Sequence, residues 1–154
     1  MQAAEPAVPP APAAENESLV VFLGDSLTAG FGLGAEQAYP LLVEKKLEEQ
    51  GIALKVVNAG VSGDTTAGGL ARLDWLLSQK PDVVVVGLGG NDGLRGLPLE
   101  QAERNLREIV RRSKEAGARV LLLGMQIPPN YGPEYAQGFA DMYPRIAKEM
   151  DIPL

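Results

Sequence analysis

Apolar and polar positions along the chain follow two alternating periods. Short, nearly unbroken apolar runs recur at residues 19–23, 54–58, 82–87 and 119–124, the third carrying four consecutive valines at 83–86. Runs of this length, rich in β-branched residues and bounded by glycine, proline or acids, predict strands buried on both faces of a parallel sheet. Between them the apolar spacing widens to three and four, which predicts amphipathic helices. One spans 39–50, with Tyr39, Leu42, Val43 and Leu47 on a shared face, Pro40 in the first turn and Gly51 as the stop. A second, capped by Asp64, is expected to continue through Leu70, Leu73, Leu76 and Leu77, with Trp75 and its leucine neighbours packed on the sheet. A third opens at Pro98, carries the stripe Ala102, Leu106, Ile109 and Val110, and closes at Gly117. Its Glu100/Arg104, Glu103/Arg107 and Glu108/Arg112 pairs sit at i,i+4 in the favourable order. A last helix covers about 134–150.

Strands alternating with helices predict right-handed βαβ units in a three-layer α/β fold with a mostly parallel, flavodoxin-like sheet. The expected strand order is 2-1-3-4-5, with a binding crevice above the first strand. Asp151-Ile152-Pro153-Leu154 reads as the approach to a fifth strand, so the sheet is expected to be truncated there. An exposed edge at 119–124, uncovered apolar surface and reduced stability are then expected. Residues 1–18, mostly Ala, Pro and Glu without periodicity, read as a disordered tail, leaving 19–154 as one domain. The tail lacks the charged start and apolar middle of a signal peptide, and no run is long enough for a transmembrane segment. Its composition resembles the tethers left after secretion, a hint of a periplasmic or otherwise extracytoplasmic location.

Charge and composition remove several functions. The formal net charge of -6, with glutamates interleaved among the arginines of 104–114, leaves no basic stripe for nucleic acid. The 154 residues contain no cysteine, hence no disulfide, thiolate nucleophile or cysteine metal site. They also contain no histidine, the commonest general base and transition-metal ligand.

The chemistry lies at three strand ends: Gly24-Asp25-Ser26, the stretch from Asn58 through Gly60 and Ser62 to Asp64, and the stretch from Gly87 through Asn91 to Gly93. With strands 2, 1 and 3 adjacent, these loops meet at one edge of the sheet. Ser26 supplies a hydroxyl, the Ser26 and Gly60 N–H groups can donate, and Asn91 offers a side-chain amide: a nucleophile facing an oxyanion hole. Simpler roles stand beside these. Ser26 can cap a helix, Asn91 can hold a turn, and Asp64 is a helix cap more readily than a metal ligand. Asp25 and Asp92 read as acceptors bracing their own loops.

Gly24-Asp25-Ser26-Leu27, Gly60 and Gly89-Gly90-Asn91-Asp92, with Val61-Ser62-Gly63-Asp64-Thr65-Thr66 and Pro128-Pro129-Asn130-Tyr131-Gly132, resemble the ordered blocks of the SGNH (GDSL) hydrolases. The closest likeness is to the bacterial thioesterase I / lysophospholipase L1 / arylesterase branch. The resemblance implies a cofactor-free serine esterase acting on small-molecule acyl, aryl or lysophospholipid esters or thioesters, with periplasmic members. It implies Ser26 as nucleophile, Ser26, Gly60 and Asn91 as the oxyanion hole, and residues 92–97 and 128–133 as walls of the acyl groove. The family's last block, Asp-x-x-His, is not matched, so no catalytic Asp or His is carried over and turnover by these residues is expected to be weak or absent. A non-catalytic acyl- or glycan-binding domain is the alternative, with a nucleotide or flavin binder on the same fold as a third reading.

Overall fold

The computed structural model describes residues 17–154, so all but the last two residues of the expected tail lie outside the described residues. Strand β1 (Ser18–Gly24) is central, with β2 (Leu54–Gly60) on one side, β3 (Val83–Gly87) on the other and β4 (Arg119–Leu122) outermost, all parallel, in the order β2-β1-β3-β4. The order matches the sequence expectation over the four strands present. Ser18, expected in the tail, instead begins β1 opposite Leu54. Beyond β4, the Leu122 N–H donates to Pro153 O at 3.1 Å, so residue 153 already lies along the outer edge.

Because side chains alternate across each strand, the sheet has two apolar faces. Val21, Leu23, Val84, Val86, Val120 and Leu122 point to one. That face packs on α3 (Thr66–Ala71), α4 (Leu73–Leu77), α6 (Leu99–Glu115) and α7 (Pro133–Glu149), which bury Leu73, Leu76, Leu106, Ile109, Phe139 and Tyr143. On the other face Val20, Phe22, Val85, Leu121 and Leu123 line an apolar cleft of about 650 Å³ against Tyr39, Val43 and Leu47 of α2 (Tyr39–Glu49).

Two further helices, α1 (Ser26–Ala29) and α5 (Gly90–Leu94), are single turns at the carboxyl ends of β1 and β3. The helix expected through residue 77 is broken: Arg72 leaves helical geometry with φ -103° and ψ 3°. Gly68 and Gly69 weaken helix propensity just ahead of the break, and Arg72 makes tertiary bonds in place of the helical turn. Its cap is Thr65, whose side chain accepts from Gly68 N–H at 3.2 Å, not Asp64. Trp75, expected on the sheet, is 67% exposed, while Leu73 and Leu76 fill the core beneath it.

Helices α6 and α7 are locked by charge. Glu103 accepts from Arg107 Nε at 3.1 Å and from Arg145 Nη2 at 2.5 Å, and Arg107 reaches Glu149 as well. Burial alone would raise the Glu103 pKa, but the Arg145 and Arg107 hydrogen bonds outweigh it and hold the carboxyl below its ordinary 4.5. A depressed folded-state pKa stabilises the native state above the unfolded value and is lost as pH falls through the folded value. Glu103→Gln is therefore expected to cost about 1 kcal/mol at neutral pH, within the range of partly exposed ion pairs. The gap from the parent should close below the ordinary carboxyl value of 4.5 in urea titrations across pH. A pH-independent gap would contradict the ion-pair account.

Candidate active site

Gly24 is paired with Gly60 on one side and Gly87 on the other. Parallel neighbours lie about 5 Å apart, so the three following loops leave one edge within roughly 10 Å of each other. Ser26 is the first residue of α1 and is half-buried. The cap of that helix is Asp25, 3% exposed, whose Oδ1 accepts the Leu27 N–H at 3.0 Å. Ser26 is thereby released from the capping role. Its own N–H is one of the first-turn donors that a helix leaves unpaired, and no described residue hydrogen-bonds its hydroxyl.

The exit of β2 departs from the sequence expectation. Gly60 N–H donates to Asn58 Oδ1 at 2.9 Å, while Asn58 Nδ2 donates to Thr28 O at 2.8 Å. A Cβ on Gly60 would stand 2.3 Å from Ala29 N. Gly60 leaves room for α1 to sit against β2, and its N–H, expected to be free, is engaged by Asn58. The free donor lies three residues on. Val61 to Asp64 form a turn closed by Asp64 N–H on Val61 O at 3.1 Å, with Gly63 at its third position at φ +81°. That positive φ is the geometry of a type II turn. Gly63 N–H has no acceptor among the described residues. Sequence reasoning did not consider the Gly63 N–H as a donor, although glycine followed by aspartate at the end of a turn was the available signal.

Asn91, in the first turn of α5, is half-buried and donates through Nδ2 to Asp64 O at 2.8 Å, which leaves its second amide hydrogen unassigned. The structure thus gathers Ser26, Gly63 and Asn91 at one edge and turns Gly60 to a packing role. Asp92 is 3% exposed and accepts Thr66 N–H at 2.9 Å and Thr66 Oγ1–H at 2.7 Å, so its side chain braces the start of α3, not its own loop as expected. Asp64 accepts from Arg72 Nε at 2.8 Å and from Thr65 N–H at 3.1 Å. The two expected walls touch where the Tyr131 ring closes over Gly96, and Tyr135 OH, in the first turn of α7, donates to Leu97 O at 2.5 Å. Exposed Leu27, Leu94, Leu97 and Tyr131 give this rim its apolar character.

The ionisable groups near this edge are held in hydrogen bonds or kept protonated. Asp25, Asp64 and Asp92 are each committed to the bonds above. Burial raises the pKa of Tyr39, a shift reduced by its Thr28 hydrogen bond and reinforced by the Asp25 charge. Burial likewise raises Tyr143 and Tyr135, with Asp92 adding to both. These phenols stay protonated at neutral pH. No group of three His, Cys, Asp or Glu residues suited to a metal occurs among the described residues. What remains is a hydroxyl beside several donors, the minimal apparatus for acyl transfer.

Comparisons with known proteins bear on the family and the fold. The model of the GDSL-like lipase/acylhydrolase family matches residues 22–154. Esterase TesA of Pseudomonas aeruginosa is 49% identical over 138 residues, which cover 89% of this chain and 68% of that protein. The thioesterase 1/protease 1/lysophospholipase L1 of Escherichia coli is 47% identical over 143 residues, covering 92% of this chain and 67% of that protein. Among solved structures, AlinE4, an SGNH-hydrolase family esterase, superposes with a TM-score of 0.87 at 41% identity, covering 92% of this chain and 77% of that one.

The Asp92 brace yields a direct check. Asp92→Ala strands the Thr66 N–H and hydroxyl in a buried position, which is expected to cost about 2–3 kcal/mol in urea unfolding. A loss under about 0.5 kcal/mol, the level of an ordinary surface change, would refute this assignment.

Proposed function

The chain belongs to the GDSL-like lipase/acylhydrolase family, and on that premise we propose that it is a serine carboxylic ester hydrolase with Ser26 as nucleophile. The observation that carries the reading is the glycine row Gly24, Gly60 and Gly87, which brings an uncapped serine hydroxyl to the same edge as the Gly63 turn and Asn91. Ser26 Oγ attacks the carbonyl carbon of an acyl ester or thioester. The developing oxyanion takes hydrogen bonds from Ser26 N–H, Gly63 N–H and the free Asn91 amide hydrogen. Collapse expels the alcohol or thiol and leaves an acyl-serine, which water cleaves to release the acid. Aryl esters, thioesters and lysophospholipids are the candidate substrates, and the apolar rim of Leu27, Leu94, Leu97 and Tyr131 suits an acyl chain.

The serine proton needs an acceptor, and these residues offer none: histidine is absent and the neighbouring carboxylates are engaged. Triad members act as a unit, so the oxyanion hole and binding retain only a small part of the full acceleration. We also assign the protein to the periplasm, a reading supported by the Ala/Pro-rich stretch ahead of Leu19. Among the described residues no helix is long and apolar enough to cross a membrane.

Hydrolysis of p-nitrophenyl esters tests the reading. The purified chain is expected to turn over about 10³-fold or more slower than the E. coli relative, and Ser26→Ala to fall to the buffer rate. Fast turnover abolished in Ser26→Ala would reveal another base. A slow rate untouched by that substitution would favour the non-catalytic binding domain.

A further inference from the structure

Arg72 stands at the break between α3 and α4, and its side chain is 25% exposed. The guanidinium donates in three directions: Nη1 to Ala59 O at 2.6 Å, Nη2 to Gly24 O at 3.0 Å and Nε to Asp64 Oδ2 at 2.8 Å. Gly24 is the residue before Asp25-Ser26, and its carbonyl also receives the Val61 N–H at 3.0 Å. Ala59 precedes Gly60 at the root of the Gly63 turn. Asp64 closes that turn, and its carbonyl holds Asn91. One planar fork therefore joins the segment carrying the serine, the segment carrying the glycine donor and, through Asp64, the asparagine donor.

A surface arginine serving only to offset a negative charge would be satisfied by Asp64. Here two of three donors go instead to carbonyls at the ends of adjacent strands, where the ladder runs out and donors are needed. The rigid spacing of a guanidinium can hold two strand ends in fixed relation; an ammonium, as a point charge, cannot. We propose that Arg72 is a positioning residue of the oxyanion hole, setting the relative placement of Ser26, Gly63 and Asn91 for the acyl-transfer step. This inference rests on the reading of Ser26 as the nucleophile.

Phosphonylation of Ser26 by a p-nitrophenyl alkylphosphonate in mildly alkaline buffer supplies the test. Hydroxide takes the serine proton to form water, the Oγ–P bond forms, the P–O(aryl) bond breaks and nitrophenolate is released. Arg72→Lys keeps the charge and removes the fork, and Arg72→Gln serves for the same readouts should the lysine variant not fold. Arg107→Gln, which breaks one distant ion pair within α6 and one between α6 and α7, controls for general loss of stability. At saturating reagent the Arg72 variant is expected to label at least about tenfold more slowly with an unchanged half-saturating concentration, the signature of a misplaced group. Arg107→Gln is expected to label at the parent rate. Equal rates for the parent and the Arg72 variant, or equal slowing in Arg107→Gln, would overturn the proposal.

A parent chain that takes no label at Ser26 would contradict the nucleophile reading itself, and amide exchange then decides the role of Arg72. Val61 and Asp64 N–H groups, which close the contacts at this edge, are expected to exchange about tenfold faster in the variant with Ile109 and Val110 unchanged, the pattern of local opening. Uniform acceleration, or none, would overturn the inference.

Discussion

The parallel pairing of β1 between β2 and β3 is the constraint on which the molecule depends. Its register sets Gly24 opposite both Gly60 and Gly87, so three chain segments leave the sheet at one level. Alternation then divides the work of β1: Val21 and Leu23 anchor one face, Val20 and Phe22 the other, and the residues just past Gly24 are delivered to the edge. A slip of one residue would exchange the two apolar faces and move Ser26 away from the Gly63 turn. Core and site are in this sense one design, because the valines that fix the register also fix where the serine stands.

At that edge the ladder ends and the backbone groups must find other partners. Much of the polar chemistry near Ser26 answers this need. Asp25 caps α1, Asn58 ties β2 to α1, Asp92 holds the start of α3, and Arg72 gathers the carbonyls of Gly24 and Ala59. Three acids beside these strand ends could suggest a choice of bases. Their hydrogen bonds instead make them supports of the segments around Ser26.

The strands and the two long helices were legible because burial on both faces and i,i+4 charge spacing leave strong periodic marks. Of the three pairs expected on α6, Glu103/Arg107 and Glu108/Arg112 form in the structure. Features set by tertiary contact were not legible. Arg72 breaks its helix for partners 13 and 48 residues away in sequence. Four-residue α1 is too short to show a period. Gly60 and Gly63 are alike in sequence terms, and only the placement of Asn58 and Ala29 separates a packing glycine from a donor. Trp75 follows the leucine pattern locally, yet the break turns it to solvent. Asp25, read from its loop alone, proved to brace that loop, whereas Asp92, read the same way, is bonded to Thr66 of α3.

The most direct measurement is a crystal structure of the chain after reaction with an alkyl phosphonate ester. The adduct should sit on Ser26 Oγ, with the phosphoryl oxygen at about 3 Å from the N–H of Ser26, the N–H of Gly63 and Nδ2 of Asn91. Gly60 N–H should still be bonded to Asn58 Oδ1, as in the free chain. A phosphoryl oxygen held by Gly60 with Asn58 displaced, or an adduct on any other residue, would contradict the account.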